Sequence, residues 1–230
     1  MSIALLPSPN PFGGNASEKV PVHQQVYEQL RGMILFGDLA PGQAVTIQGL
    51  TESLGAGMTP VREALRRLVA EGALTLQGNR RVSVPLLTPD GLEELGFMRK
   101  SLESELTRRA TTRMGDADLT MLRECDADLN SAIDQGDVGG YLTQNYRFHS
   151  FIYARADAPI MAKTVDQLWL RFGPSLRVVC GRFGTSNLPD KHQDLLAAFA
   201  ARDVTAAAAA MAEDVEQGIR QIKSAMEEGA

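Results

Sequence analysis

The stretch "MTPVREALRRLVAEG", from Met58 to Gly72, decides the fold of the N-terminal part of this 230-residue chain. Its apolar residues recur every three to four positions, which predicts a helix with one buried stripe. That stripe consists of Val61, Leu65, Leu68 and Val69. Arg62 and Arg66 are four residues apart, so they share the opposite, open face. A surface helix can carry arginines for solubility alone, and the neighbouring elements must show what this basic face does.

Two shorter helices are predicted before this stretch. Apolar residues at helical spacing run through "VHQQVYEQLRGMIL", and the glycines and proline of "GDLAPG" end that helix. In "TIQGLTESLG", Thr46 can cap the start of a second helix and Gly55 can end it. The short link "LGAGMTP" then fits the turn of a helix-turn-helix motif.

The residues after Gly72 change to the period of a strand. In "LTLQGNRRVSV", apolar and polar residues, Leu76 among them, alternate on either side of a turn, which predicts a hairpin. Three helices followed by a hairpin form a winged helix-turn-helix, and the basic face then lies where a recognition helix enters the major groove of DNA. A solvated helix beside a chance hairpin would explain each piece but not their order. The predicted tip of the wing, facing the DNA backbone or minor groove, holds Asn79, Arg80 and Arg81.

Beyond Leu86 the sequence predicts helices only. Thr88 can cap a helix that begins at Pro89, and further amphipathic segments follow, one of them kinked or broken at Gly173-Pro174. The predicted fold class is therefore mainly α, with a winged helix-turn-helix before an antiparallel bundle of about six or seven helices. The predicted domain bounds are a disordered arm over 1–19, the DNA-binding domain over 20–85 and the helical domain over 86–230.

Composition excludes several classes of function. The net charge is −5, but residues 19–85 hold 7 Lys and Arg against 5 Asp and Glu, whereas residues 86–230 hold 16 against 22. Only the N-terminal part is thus suited to a polyanion. No apolar run is long enough for a membrane span, and the N-terminus lacks the basic segment of a signal peptide. Cys125 and Cys180 have neither metal nor redox spacing, which predicts a cytoplasmic protein with reduced thiols.

The segments "YEQLRGMILFGDLAPGQ" and "MTPVREALRRLVAEGALTLQGNRRVSV" closely resemble the GntR family of bacterial transcription regulators. "MRKSLE", "NYRFHSFIY" and "KHQDLLAAFAARDVTAAAAAM" resemble the FCD-type domain of its FadR branch, which binds effectors and dimerises. The likeness covers about residues 20 to 228. It implies a homodimeric repressor or activator, in which a small molecule bound by the helical domain changes the affinity for a short palindromic operator in double-stranded DNA.

On the DNA side, the resemblance implies contacts from Thr59, Arg62 and Arg66. Two positions depart from the family pattern: Met58 stands where an arginine often reads a base edge, and Gln48 where a DNA-contacting arginine is common. Because fewer charges would reach phosphates, we expect a modest operator affinity and an unusual operator sequence.

On the effector side, the resemblance implies a divalent metal such as zinc, which many domains of this branch hold through one Asp and three His. Two of these positions fall on Asn145 and His149, four residues apart on one helix, and a third on His192. The remaining histidine is expected about twenty-two residues before His192, near Leu170 or Arg171, where none is present. Since an amide oxygen is a weak neutral ligand, the sequence predicts weak metal binding or none, and both histidines can instead be structural.

Arg99 is the first candidate for effector recognition. A semi-buried guanidinium needs a partner, which Glu103 can supply from the next turn of the helix or an effector carboxylate can supply by a bidentate contact. Arg171, next to the missing ligand position, could serve in the same way. The predicted effector-binding residues are Arg99, Asn145, His149, Arg171 and His192.

Two other functions are compatible with these residues. A metal-dependent helical hydrolase or dehydratase, fused to a DNA-binding-like domain, would need a base and an open metal position, for which two histidines are weak support. A regulator with a vestigial, ligand-free helical domain is favoured by Met58 and by the absent histidine. A ligand-responsive regulator is the function that the order of the elements supports best.

Overall fold

The winged helix-turn-helix predicted from the sequence is present in the computed structural model, which describes residues 20–77, 81–184 and 191–228. Its helices are α1 (Val22–Leu35), α2 (Ile47–Leu54) and α3 (Met58–Ala70). As predicted, Thr46 accepts a hydrogen bond from the Gly49 amide at 3.0 Å, and α2 ends at Gly55. α1 packs against α3, so the apolar stripe of α3 becomes the core of this domain and its basic face stays outside.

The wing is a three-stranded sheet, one strand more than predicted. It consists of β1 (Ala44–Val45), β2 (Thr75–Gln77) and β3 (Arg81–Ser83), antiparallel in the order β1-β3-β2. β1 was missed because two residues are too few to show a period of two. All three residues of β2 are exposed, and Leu76 among them is 64 % exposed.

Six helices follow within the described ranges. They are α4 (Pro89–Thr111), α5 (Asp116–Asp134), α6 (Val138–Arg155), α7 (Pro159–Phe183), α8 (Lys191–Ala200) and α9 (Val204–Glu228). The predicted fold class, a winged helix-turn-helix followed by a helical bundle, is confirmed. α4 packs against α6, α7 and α9, which surround it. The described helices include none whose length and apolar content would let it span a bilayer. The predicted arm at 1–19 lies outside the described residues.

α7 runs through Gly173 and Pro174 without the predicted break. Pro174 has no N–H to bond the carbonyl one turn earlier, but buried side chains on both sides, such as Phe172 and Leu176, pack the helix in place. Gly173 is required here because a Cβ at this position would lie 2.1 Å from the Leu35 carbonyl oxygen. α7 therefore meets the end of α1 and joins the two domains.

Candidate DNA-binding surface and effector cavity

The outer face of α3 carries two cations that no other described residue neutralises. Arg62 and Arg66 are exposed and form no hydrogen bond or ion pair within the described part of the chain. Arg67 on the same helix differs, because it pairs with Glu71 at 3.0 Å and stacks 3.5 Å over the ring of Tyr27. Arg62 and Arg66 are thus available to phosphates or base edges, whereas the guanidinium of Arg67 is already occupied by contacts within the domain.

The other predicted DNA-contacting residues lie around this face. Met58 and Thr59 are exposed in the first turn of α3, and Arg81 is exposed at the start of β3. Gln48 is exposed on α2, but its amide donates to the Glu52 carboxylate at 3.1 Å, so DNA would have to compete with that bond. The predicted wing residues Asn79 and Arg80 lie outside the described residues.

A cleft with about 350 Å³ of space, part of it open to solvent, lies between α4, α6, α7 and α9. Aromatic rings, amides and charged groups line it together, which suits a small polar molecule. Its lining includes Arg99, Tyr141, Asn145, Trp169, Phe172, Asp214 and Gln221.

Arg99 is held at the wall of this cleft and is only 1 % exposed. Its Nε and Nη2 donate to the Glu103 carboxylate at 2.5 and 3.2 Å. The guanidinium carbon lies 4.3 Å from the ring centre of Trp169 and 4.0 Å from that of Phe172. Burial alone would lower the pKa of Arg99, but the charge of Glu103 raises it. Nη1 has no hydrogen-bond partner among the described residues, so the pair with Glu103 leaves this nitrogen for a ligand.

His149 and His192 are both buried, with ring centres 5.3 Å apart. The Nδ1 of His149 lies 3.2 Å from the Tyr153 hydroxyl, and the Nδ1 of His192 lies 3.1 Å from an Asp126 oxygen. Tyr153 gives its own proton to Glu103, and a carboxylate only accepts, so both Nδ1 atoms are assigned as donors. That tautomer leaves a lone pair on each Nε2, the arrangement found in metal-binding histidines with an outer partner.

Asp214 completes a cluster that the sequence reasoning missed. Its Oδ2 lies 3.2 Å from His149 Nε2, and the ligand atoms of His149, His192 and Asp214 all lie within 4.8 Å of one another. Burial would raise the pKa of Asp214, but positive charge at His149, and to a lesser degree at His192 and Arg99, holds it below its usual value. His149 Nε2 is buried without a well-formed hydrogen bond, so a cation, either a proton or a metal ion, is needed between it and the carboxylate. Two imidazoles and a carboxylate are donors that fit a divalent metal.

The sequence predicted the remaining metal ligand about twenty-two residues before His192. The structure instead brings Asp214, which is twenty-two residues after His192, next to the two histidines. Asp214 could have been found, because it lies three residues after Met211 and one before Val215, on the buried stripe of α9. Asn145, the fourth member of the predicted set, is 8 % exposed and lines the same cleft.

The predicted effector role of Arg171 is not supported by its position. Arg171 is exposed on α7 and does not line the cleft. Its guanidinium lies against the winged-helix domain, where a Cβ at Gly72 would be 2.3 Å from Nη2. Leu170, the other position considered for the missing ligand, is fully buried in the core.

Two family matches follow the two parts of the fold. Residues 22–84 match the family described as "Bacterial regulatory proteins, gntR family". Residues 94–217 match the "FCD domain". The first range contains α1 to β3, and the second contains most of the bundle, including Arg99, Asn145, His149, His192 and Asp214.

Individual relatives match over nearly the full chain. The "HTH-type transcriptional regulator McbR" of Escherichia coli (strain K12) is 31% identical over 210 residues, which cover 90% of this chain and 95% of the relative. The "HTH-type transcriptional repressor RspR" of the same strain is 24% identical over 210 residues, covering 88% and 91%. The solved structure described as "E. coli McbR/YncC" has a TM-score of 0.85 at 31% identity, covering 90% of this chain and 100% of that one.

Proposed function

Because this chain belongs to the GntR family of bacterial transcription regulators and carries an FCD domain, we propose that it represses transcription from a short palindromic operator until a small carboxylate occupies the cleft beside Arg99. The family and its relatives are transcription regulators, so the chain is a regulator and not a metal-dependent enzyme. Repression in particular is supported by the relative RspR, which is a transcriptional repressor.

The DNA-binding half of the proposal is carried by Arg62 and Arg66 on the open face of α3, which pair with no other residue that the structure describes. Thr59 and the wing, with Asn79, Arg80 and Arg81, would bind the sugar-phosphate backbone beside them, and Gln48 would do so from α2. Met58 suits an apolar contact with a thymine methyl group, which would replace the arginine contact common in the family.

A homodimer follows from the small reach of one recognition helix. One helix covers only a few base pairs, and a two-fold dimer reading a palindrome doubles the contacts. Light scattering at micromolar concentration should give about twice the 24.9 kDa of one chain. A stable monomer under these conditions would rule out the dimer.

Selection of bound fragments from genomic DNA tests the DNA-binding half. The expected result is a short enriched palindrome, and the genes beside it would indicate the class of effector. Enrichment without a shared motif would reduce the DNA-binding claim to non-specific electrostatic attraction.

The effector half of the proposal rests on the free Nη1 of Arg99, which can donate to a carboxylate in the cleft. The Asp214 carboxylate lines the same cleft and would repel such an anion. A divalent metal held by His149, His192 and Asp214, with Asn145 beside them, would supply the positive charge that offsets this repulsion. Metal and carboxylate should therefore strengthen each other's binding.

Calorimetry with zinc, followed by thermal shift against small carboxylates with and without zinc, tests the effector half. Asp214→Asn should abolish zinc binding. The matched control is Glu216→Gln, two residues further along α9, which only weakens a surface pair with Lys100 and should leave zinc binding intact. If no carboxylate raises the unfolding midpoint under either condition, the helical domain is vestigial and the effector claim fails.

A further inference from the structure

A partly buried polar contact joins α6 and α7, two of the helices that border the cleft, to the DNA-binding domain. Arg31 on α1 is 7 % exposed, and its Nη2 donates to the Tyr146 hydroxyl of α6 at 2.9 Å. The same nitrogen binds the Asp166 carboxylate of α7, and the Tyr146 hydroxyl also donates to that carboxylate. One phenol hydroxyl therefore contacts groups from two other helices, one of which belongs to the winged-helix domain.

The ring of Tyr146 lies next to the cleft. It packs edge-to-face against Trp169, with ring centres 5.5 Å apart. Trp169 lines the cleft and its ring lies 4.3 Å from the Arg99 guanidinium, while Asn145, the neighbour of Tyr146 in sequence, also lines the cleft. A ligand that repositions Arg99 or Trp169 therefore presses directly on the ring that carries the hydroxyl.

On the other side, α1 cannot move without α3. The Tyr27 hydroxyl of α1 donates to Glu71 at 2.9 Å, and Arg67 of α3 stacks on the Tyr27 ring. Arg31 cannot simply leave its site, because an unpaired buried charge is strongly unfavourable. A displacement of Tyr146 would thus be passed through Arg31 to α1 and on to the recognition helix.

We propose that Tyr146 is the positioning residue that couples the effector cleft to the DNA-binding domain, through its ring contact with Trp169 and its hydroxyl contact with Arg31 and Asp166. The inference deepens the proposed function and rests on it for the existence of the two ligands. Coupling between two binding sites is reciprocal, so bound DNA must change the cleft as the effector changes DNA binding.

Trp169 provides a direct readout of this coupling, since it is the single tryptophan of the chain and lines the cleft. The full chain is titrated with the duplex recovered by genomic selection. The anisotropy of a labelled duplex reports binding, and Trp169 emission, excited where DNA does not absorb, reports the cleft. In the wild type, the emission should change in step with binding.

Tyr146→Phe keeps the ring and removes the hydroxyl. This variant should bind the duplex with an affinity similar to that of the wild type, yet lose at least half of the Trp169 response. The matched control is Asp118→Asn, which breaks an ion pair with Arg155 of 2.7 Å inside the bundle and should keep the full response. A full response in Tyr146→Phe, or no response in a wild type that binds the duplex, overturns the inference.

Amide hydrogen exchange of the free protein separates this inference from the proposed function. If no duplex binds, the proposed function fails, and the coupling is judged by exchange alone. Tyr146→Phe should then speed exchange in α1 as well as in α6 and α7, whereas Asp118→Asn should leave α1 unchanged. A change confined to α6 in the Tyr146→Phe variant overturns the coupling.

Discussion

Glu103→Gln is expected to destabilise the protein by about 3–5 kcal/mol, the usual effect of removing one partner from a buried ion pair. Glu103 is fully buried and Arg99 nearly so, so water cannot replace the lost charge. Glutamine keeps the shape of the side chain and can accept one of the guanidinium hydrogen bonds, but it leaves the positive charge uncompensated. For a chain of this size, the unfolding midpoint should fall by roughly 6–20 °C.

The matched control is Glu105→Gln, the same substitution two residues further along α4. Glu105 bonds Arg108 and Arg109 at 2.8 and 2.7 Å, and these bonds lower its pKa to about 2, yet the group lies at the surface. Solvent screening makes such pairs contribute little to stability, so the midpoint should hardly move. Both variants are compared by circular dichroism melts and urea titration. Equal, small losses would refute the reasoning that Arg99 depends on a buried counter-ion.

The DNA-binding face, the metal cluster and the domain interface each give one more expectation. Arg62→Ala should weaken binding to the selected operator by about 1–3 kcal/mol. Arg67→Ala should weaken it less, because the Arg67 guanidinium is already paired with Glu71. Equal effects in a mobility-shift titration would contradict the assignment of Arg62 as a DNA-contacting residue. Zinc affinity by calorimetry should fall as the pH is lowered, because protons compete with the metal for its protein ligands, and a flat profile would argue against a site built from these side chains. Gly173→Ala should lower the unfolding midpoint, while Gly181→Ala on the same helix, with open space around it, should not; matching midpoints would mean that the α1–α7 contact yields easily.

Much of the DNA-binding domain could be predicted because its parts leave local marks in the sequence. The cap at Thr46, the apolar stripe of α3 and the change of period after Gly72 each depend on residues close together in the chain. β1 leaves no such mark, since its two residues become a strand only by pairing with β3.

The cleft and the adjoining cluster of His149, His192 and Asp214 could be predicted only in part, because their residues come from five helices. His149 and His192 were found by spacing and resemblance, but Asp214 reaches them only through the packing of α8 on α9. Arg171 shows the converse error. It follows a fully buried residue, but successive residues of a helix point about 100° apart, so its side chain faces the other domain.

Of the two possible partners of Arg99, the structure contains Glu103, which occupies Nε and Nη2. Nη1 has no hydrogen-bond partner among the described residues, and the proposed effector carboxylate would bind there. A residue-level pattern could not distinguish these three nitrogens, since their directions follow from the rings of Trp169 and Phe172 that hold the guanidinium.

The close contact between α1 and α7 limits which DNA-binding domains can be fused to this helical domain. Position 37 must be glycine, because its φ is +74° and a Cβ there would lie 2.3 Å from the Cβ of Arg177, so a foreign winged-helix module with a larger residue at this position would not fit this bundle. In a chimera joined between the domains, both halves could fold, and yet ligand binding in the bundle would no longer change DNA binding. The DNA sequence specificity is better changed by substituting the exposed side chains of α3 alone, because this leaves the contact between α1 and α7 intact.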